Sequence, residues 1–228
     1  MTSMDSATGS LLYPLLTSSA QMRREAGKRR KLYDTQSVKR DSIPEYEANG
    51  WEIDKELKLK TRLKRMKSID ERIENRLWYL LFKMGYPELN QGRNFQIRID
   101  RKGAESLYKQ IDVFAKDDET VVVAECKAAQ QLGRRSLQKD IEEFANLKGP
   151  IAAAIKKHYG PSFKPKIIWL FVTENIIWSK PDRERAAGEK IRIITERELR
   201  YYQQIAEHLG AAARYQFLAE FLKKQRIP

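Results

Sequence analysis

The sequence holds one cysteine, Cys126, and two histidines, His158 and His208. A lone thiol excludes an intramolecular disulfide and any zinc site built from several thiolates. Two histidines leave little material for a His-rich metal centre or a Ser-His-Asp triad. Long apolar runs are also missing, and none approaches the ~20 residues that a transmembrane helix needs. The patch Leu11–Leu16 is short, carries Pro14 and has no basic region before it, so it makes a poor signal peptide. A soluble, cytoplasmic protein without a membrane partner is the expectation.

What is present points elsewhere. Hydrophobic residues make up 41% of the 228 positions, enough for a real core. Acidic residues are outnumbered 31 to 44 by Lys and Arg, giving a formal charge of +13. Such a surplus points to a polyanionic partner, most often nucleic acid. Any metal chemistry must use carboxylate ligands, which means a hard ion such as magnesium or manganese.

Residues 1–40 read as a flexible basic arm, rich in small polar residues and then in the cluster Arg23, Arg24, Lys28, Arg29, Arg30 and Lys31. Residues 41–67 read as an appendage. Ser42-Ile-Pro-Glu45 opens a helix that Gly50 closes. Leu57, Leu59, Thr61 and Leu63 then alternate with Lys58, Lys60, Arg62 and Lys64, which predicts a strand with one buried and one cationic face. That face is either a lysine-protected edge or a surface for phosphates.

The main unit spans residues 68–209, followed by a C-terminal helix over 210–228. Ser68-Ile-Asp-Glu71 fits a capping box for a helix that runs to Met84, with Gly85 at its end. Strands are expected over Phe95–Ile99, Gln110–Ala115 and Thr120–Lys127, the last two joined by the turn Lys116–Glu119. Helices over Ser136–Leu147 and on to Tyr159, a strand over Lys166–Val172, a charged loop, a short strand Ile191–Ile194 and a helix to His208 complete a mixed α/β order.

The chemistry concentrates in two of these strands. Asp112 lies in an apolar segment, and Glu125 and Lys127 end the most hydrophobic strand. Side chains alternate along a strand, so Glu125 and Lys127 share one face and Cys126 takes the other, as a small core residue. Charged groups there would be costly if buried unpaired. Asp112 and Glu125 sharing a divalent cation, with Lys127 beside it to assist the attacking water, would resolve that cost and support phosphodiester hydrolysis. An ordinary salt-bridged strand end is the other reading of Glu125 and Lys127.

Ile111-Asp112 followed after 13 positions by Glu125-Cys-Lys127 resembles the motif of the PD-(D/E)xK nuclease superfamily, and Glu-Cys-Lys resembles its Mrr-like branch. Glu74-Asn-Arg-Leu-Trp-Tyr-Leu-Leu-Phe-Lys-Met-Gly-Tyr86 is similar to that branch's first helix. No proline precedes Asp112, which departs from the motif. The resemblance implies a restriction endonuclease-like α/β fold, a mixed central β-sheet flanked by helices with an αβββαβα core. It implies magnesium (or manganese) dependence and DNA cleavage leaving a 5′ phosphate, in bacterial defence, restriction or DNA processing.

Within that resemblance Glu74 completes the metal site with Asp112 and Glu125, and Gln138 takes a place near the scissile phosphate. Glu74 also stands at i, i+3, i+4 and i+7 with Leu77, Trp78 and Leu81, at the border of the buried stripe. Arg134, Arg135 and Lys139 are placed to hold a DNA backbone, with Lys58, Lys60, Arg62 and Lys64 from the appendage. A homodimer is expected if both strands are cut, and an accessory role to a defence system fits the same resemblance. The alternative is a nucleic-acid-binding module on a nuclease scaffold with dormant chemistry.

Overall fold

The computed structural model describes residues 12–222 other than 102. In chain order the elements are β1 (Leu12–Tyr13), β2 (Leu15–Leu16), α1 (Ser19–Arg29), β3 (Tyr33–Val38), α2 (Ile43–Ala48), β4 (Glu52–Glu56) and β5 (Thr61–Met66). There follow α3 (Ile69–Lys83), β6 (Glu88–Asn90), β7 (Gln96–Arg101), β8 (Ala104–Gln110), β9 (Val113–Lys116) and β10 (Thr120–Arg134). The remainder is α4 (Gln138–Tyr159), β11 (Lys166–Ile177), α5 (Lys180–Gly188), β12 (Arg192–Thr195), α6 (Glu196–Leu209) and α7 (Ala213–Leu222).

The central sheet has six strands in the order β12-β11-β10-β9-β6-β2. β10, β11 and β12 run parallel, whereas β10–β9, β9–β6 and β6–β2 pair antiparallel. Val121 to Ala124 are wholly buried because both faces of β10 are covered, as a continuous apolar run requires. Val122, Ala124, Cys126 and Leu170 meet Leu77 and Leu81 of α3, Leu199 of α6 and Phe217 of α7. Val123, Trp169 and Phe171 on the other face meet Ile141, Phe144, Ile151 and Ile155 of α4. Two three-stranded sheets, β1-β7-β8 and β3-β5-β4, complete the molecule. The fold is thus mixed α/β, a central mixed sheet between helices, with the helix, β-hairpin, helix and strand order implied by the sequence. Among the described residues no helix is long and apolar enough to cross a membrane.

α3 starts where its cap predicts: Ser68 Oγ accepts from the Glu71 N–H at 3.2 Å. Other segments differ from expectation for identifiable reasons. The segment 12–40 is no solvated arm, since α1 buries Met22, Ala26 and even Arg29; only 1–11 of that arm lies outside the described residues. The alternating stretch 57–64 is not one strand: 57–60 form the turn that joins β4 to β5, and only 61–64 belong to β5. Leu57 and Leu59 are therefore exposed, and only Thr61 and Leu63 turn inward. The two helices expected over Ser136–Leu147 and on to Tyr159 are one, α4, with Pro150 inside it: Ile151, Ala154 and Ile155 continue its buried stripe, which outweighs the ~3 kcal/mol that an internal proline costs. The charged segment after β11 holds α5, capped by Ser179 accepting from the Asp182 N–H.

Candidate active site

β10 sets the geometry. Glu125 and Lys127 project from it on the α4 side, and Lys127 Nζ lies 3.0 Å from Glu125 Oε1. Asp140 of α4 stands 3.6 Å from the same ammonium. These side chains, with Lys109 and Glu143, line a small cleft of about 80 Å³. Burial alone would lower the Lys127 pKa. Glu125, then Asp140 and Asp112, outweigh that and hold it above its ordinary value. Lys127 is thus a cation at neutral pH, suited to orienting an anion or a water and not to removing a proton.

Asp112 is not inside a strand, as its apolar neighbours suggest, but on the bend between β8 and β9. The Cys126 N–H donates to its Oδ2 at 2.7 Å, which fastens the carboxylate to β10 between Glu125 and Lys127. Burial, then the charges of Glu125 and Glu74, push its pKa up to about 7. Three carboxylates from α3, the bend and β10 therefore act on one another. Cys126 itself is buried in the core on the opposite face, and burial first of all pushes its thiol pKa up.

The bend is held by a residue that no periodicity reveals. Asn90, fully buried at the end of β6, donates to the Asp112 carbonyl at 3.2 Å and accepts from the Phe114 N–H at 3.0 Å. Its own carbonyl accepts from Trp78 Nε1 of α3 at 2.8 Å. Arg93 was equally invisible in the sequence. Its Nε and Nη2 each donate to Glu74 at 2.7 Å, a bidentate pair, while Gln110 Nε2 fixes its carbonyl. Glu74 is only 3% exposed, so it has a partner, but the partner is a guanidinium.

That pair carries a measurable expectation. Arg93→Gln leaves Glu74 buried without a counter-charge and should destabilise the fold by about 2 kcal/mol, discounted because Arg93 is half-exposed. Adding Glu74→Gln should restore most of the loss in urea unfolding. A double variant no more stable than Arg93→Gln would show that the two side chains do not stabilise each other.

The carboxylates fit a hard divalent ion in part. Among the described residues no three His, Cys, Asp or Glu side chains group as a ready-made metal cage. Asp112 and Glu125 supply two oxygen donors, which suits magnesium, since it commonly takes one or two carboxylates and fills its remaining positions with water and phosphate oxygens. Both oxygens of Glu74 are engaged by Arg93, so it supports this pair electrostatically.

None of the other predicted residues lines the cleft, although Arg135 reaches its rim, with Nη2 3.5 Å from Asp140 Oδ2. Gln138 begins α4 but is exposed and donates to Glu142 Oε1 at 2.9 Å. With Arg134 and Arg135 it borders a separate depression next to Ser179 and Arg185. Lys139 is exposed on α4. Lys58 and Lys60 sit on the β4–β5 turn, not on a strand; Arg62 is bonded to Asp54, and Lys64 stands 5.6 Å over the Tyr33 ring.

No family model and no curated protein matches the chain. Among solved structures it is similar to protein VC1899 from Vibrio cholerae, at 15% identity and a TM-score of 0.44, over 85% of this chain and 51% of that one. It is also similar to Can2 from Sulfobacillus thermosulfidooxidans in complex with cyclic tetra-adenylate, at 14% identity and a TM-score of 0.38, over 83% of this chain and 50% of that one. The chain thus spans about half the length of either structure.

Proposed function

We propose that the chain is a magnesium- or manganese-dependent endonuclease that hydrolyses DNA phosphodiester bonds, in the manner of the Mrr-like branch that its Glu125-Cys-Lys127 and Glu74–Tyr86 segments resemble. The observation that carries the reading is the Asp112 carboxylate, forced up to about 7 by burial beside Glu125 and Glu74 while fastened to β10. A buried carboxylate fastened beside two others is an arrangement that a bound cation would relieve, which supports the reading. Asp112 and Glu125 would hold the ion, which when bound lowers the pKa of a water and screens charge on the phosphate. Lys127, positively charged, orients the attacking water and the phosphate oxygen. Glu74 deepens the negative potential, and the +13 surplus draws DNA.

The test is conversion of supercoiled plasmid in magnesium or manganese. Lys127→Ala and Glu125→Gln should each lower the rate by at least ~100-fold, the scale of losing one electrostatic group at the reacting centre, in chains that still fold cooperatively at the assay temperature. A wild-type chain that leaves plasmid, linear, junction-containing and modified DNA intact with both metals would overturn the reading. A second reading has one observation in its favour, the Arg93–Glu74 pair, which places a fixed cation beside the carboxylates. A nucleic-acid-binding module with dormant chemistry would then show DNA affinity without carboxylate-dependent magnesium affinity.

A further inference from the structure

Away from the carboxylates, the end of α1 crosses α3 and leaves a pocket of about 320 Å³, within the size range of small-ligand sites. Its lining is cationic: Arg30 and Lys31 after α1, Arg72 and Arg76 on α3. Glu174 of β11 is the lining's carboxylate, and Arg76 already holds it at 2.8 Å. Exposed basic residues alone would be an ordinary solvated surface. Two further facts separate this pocket from one.

The first is Asn75, which is 5% exposed and lines the pocket. Arg29 Nη1 donates to its Oδ1 at 3.1 Å. A guanidinium has no acceptor, so this contact fixes which way the amide points and leaves Nδ2 on the other side. Nδ2 has no hydrogen-bond partner. The second is Arg72, whose buried Nε is likewise unpartnered, and whose side chain forms no ion pair among the described residues. A buried donor left unmade costs about 1–3 kcal/mol, and the two residues that carry them line one cationic pocket. Tyr79, with the Arg30 guanidinium 5.4 Å over its ring, gives the same pocket an aromatic wall.

We infer that this pocket binds the phosphate group of a nucleotide, with Asn75 Nδ2 and Arg72 Nε as its buried donors and Arg30 and Lys31 as its outer cations. The phosphate belongs either to a free nucleotide or to a nucleic-acid strand. The site lies apart from the carboxylate cleft and needs no metal.

Binding is measured on the full chain in EDTA, which silences the proposed nuclease chemistry and keeps the two readings separable. The probes are ATP by calorimetry and a labelled single-stranded 12-nucleotide DNA by fluorescence polarisation. Asn75→Asp keeps the acceptor for Arg29 and puts a negative charge where the free amide was; Arg72→Gln removes the other donor. Arg183→Gln, an exposed change on α5, makes the same change in net charge as either variant and serves as control. Both pocket variants should weaken binding at least tenfold, and the control should not. Loss of ATP binding identifies a free nucleotide, and loss confined to the oligonucleotide identifies a strand phosphate. Adenosine should compete with neither probe. Absence of saturable binding of both probes, equal weakening by the control, or equal binding of adenosine would overturn the inference. If Asn75→Asp does not fold, Arg72→Gln decides, because among the described residues the Arg72 side chain makes no hydrogen bond or ion pair that the change would break.

Discussion

Asp112→Asn should melt higher than the wild type at pH 8 in EDTA and, assayed in magnesium, should lose DNA cleavage altogether. The sign follows from linkage. In the unfolded chain the carboxyl titrates near 3.8, and in the fold near 7, because burial first and then Glu125 and Glu74 disfavour its charge. Below about pH 4 the group is protonated in both states and has no effect. Between 4 and 7 the unfolded chain releases the proton and the folded chain keeps it, so stability falls as pH rises. Above 7 the full penalty is present. About three units would correspond to roughly 4 kcal/mol, and about 2 kcal/mol is the expected share once partial solvent access is allowed for. The amide keeps an oxygen for the Cys126 N–H, so the substitution removes the charge and little else. For a chain of this length the gain amounts to roughly 5 °C in Tm, shrinking towards zero by about pH 4.

The same experiment contains its own check on function. Magnesium should raise the Tm of the wild type and leave Asp112→Asn unmoved, because ligand binding stabilises only the state that has the site. An Asn variant that melts lower at pH 8, or that gains as much from magnesium as the wild type, would dismiss Asp112 as the residue that makes the fold want a cation.

The part of this site that was legible in the sequence is the part governed by local periodicity. Glu125 and Lys127 are two apart in an apolar strand, so they must share a face, and Ser68 with Glu71 announces α3. Arg93 and Asn90 follow no such period. One lies in a loop and the other ends a three-residue strand, and their partners Glu74 and Asp112 are 19 and 22 positions away. α1 was hidden by composition, because its basic residues read as solvated. Yet Arg29 is buried, spent on Glu25, Asn75 and the Gly92 carbonyl. The β4–β5 hairpin was hidden for the opposite reason: its turn, Leu57-Lys-Leu-Lys60, contains no glycine, proline or asparagine to mark it.

Asn90→Ala should cost about 3 kcal/mol and disable the site from a distance. The amide group satisfies three main-chain groups around the bend: it donates to the carbonyls of Gly92 and Asp112 and accepts from the Phe114 N–H. Truncation strands all three in a place where Asn90 itself is 0% exposed, and an unmet buried main-chain group costs about 1–3 kcal/mol. Water admitted to the space left by the side chain recovers a part, which is why the estimate stays near the lower end of the sum. Asn90→Asp is the sharper comparison, since it retains the acceptor for Phe114 but loses both donated bonds and adds a negative charge beside the carboxylates. It should be at least as destabilised at pH 8 as the alanine variant and closer to wild type at pH 5, when protonation relieves the added charge. In both variants magnesium affinity should fall more than DNA affinity, because the bend that carries Asp112 is loosened while the basic surface is untouched. Urea unfolding at the two pH values, with metal titration of the folded fraction, checks each step. A loss under about 1 kcal/mol in both variants would mean that the bend is held by its pairing to β10 through Cys126, and that Asn90 merely fills the space beside it.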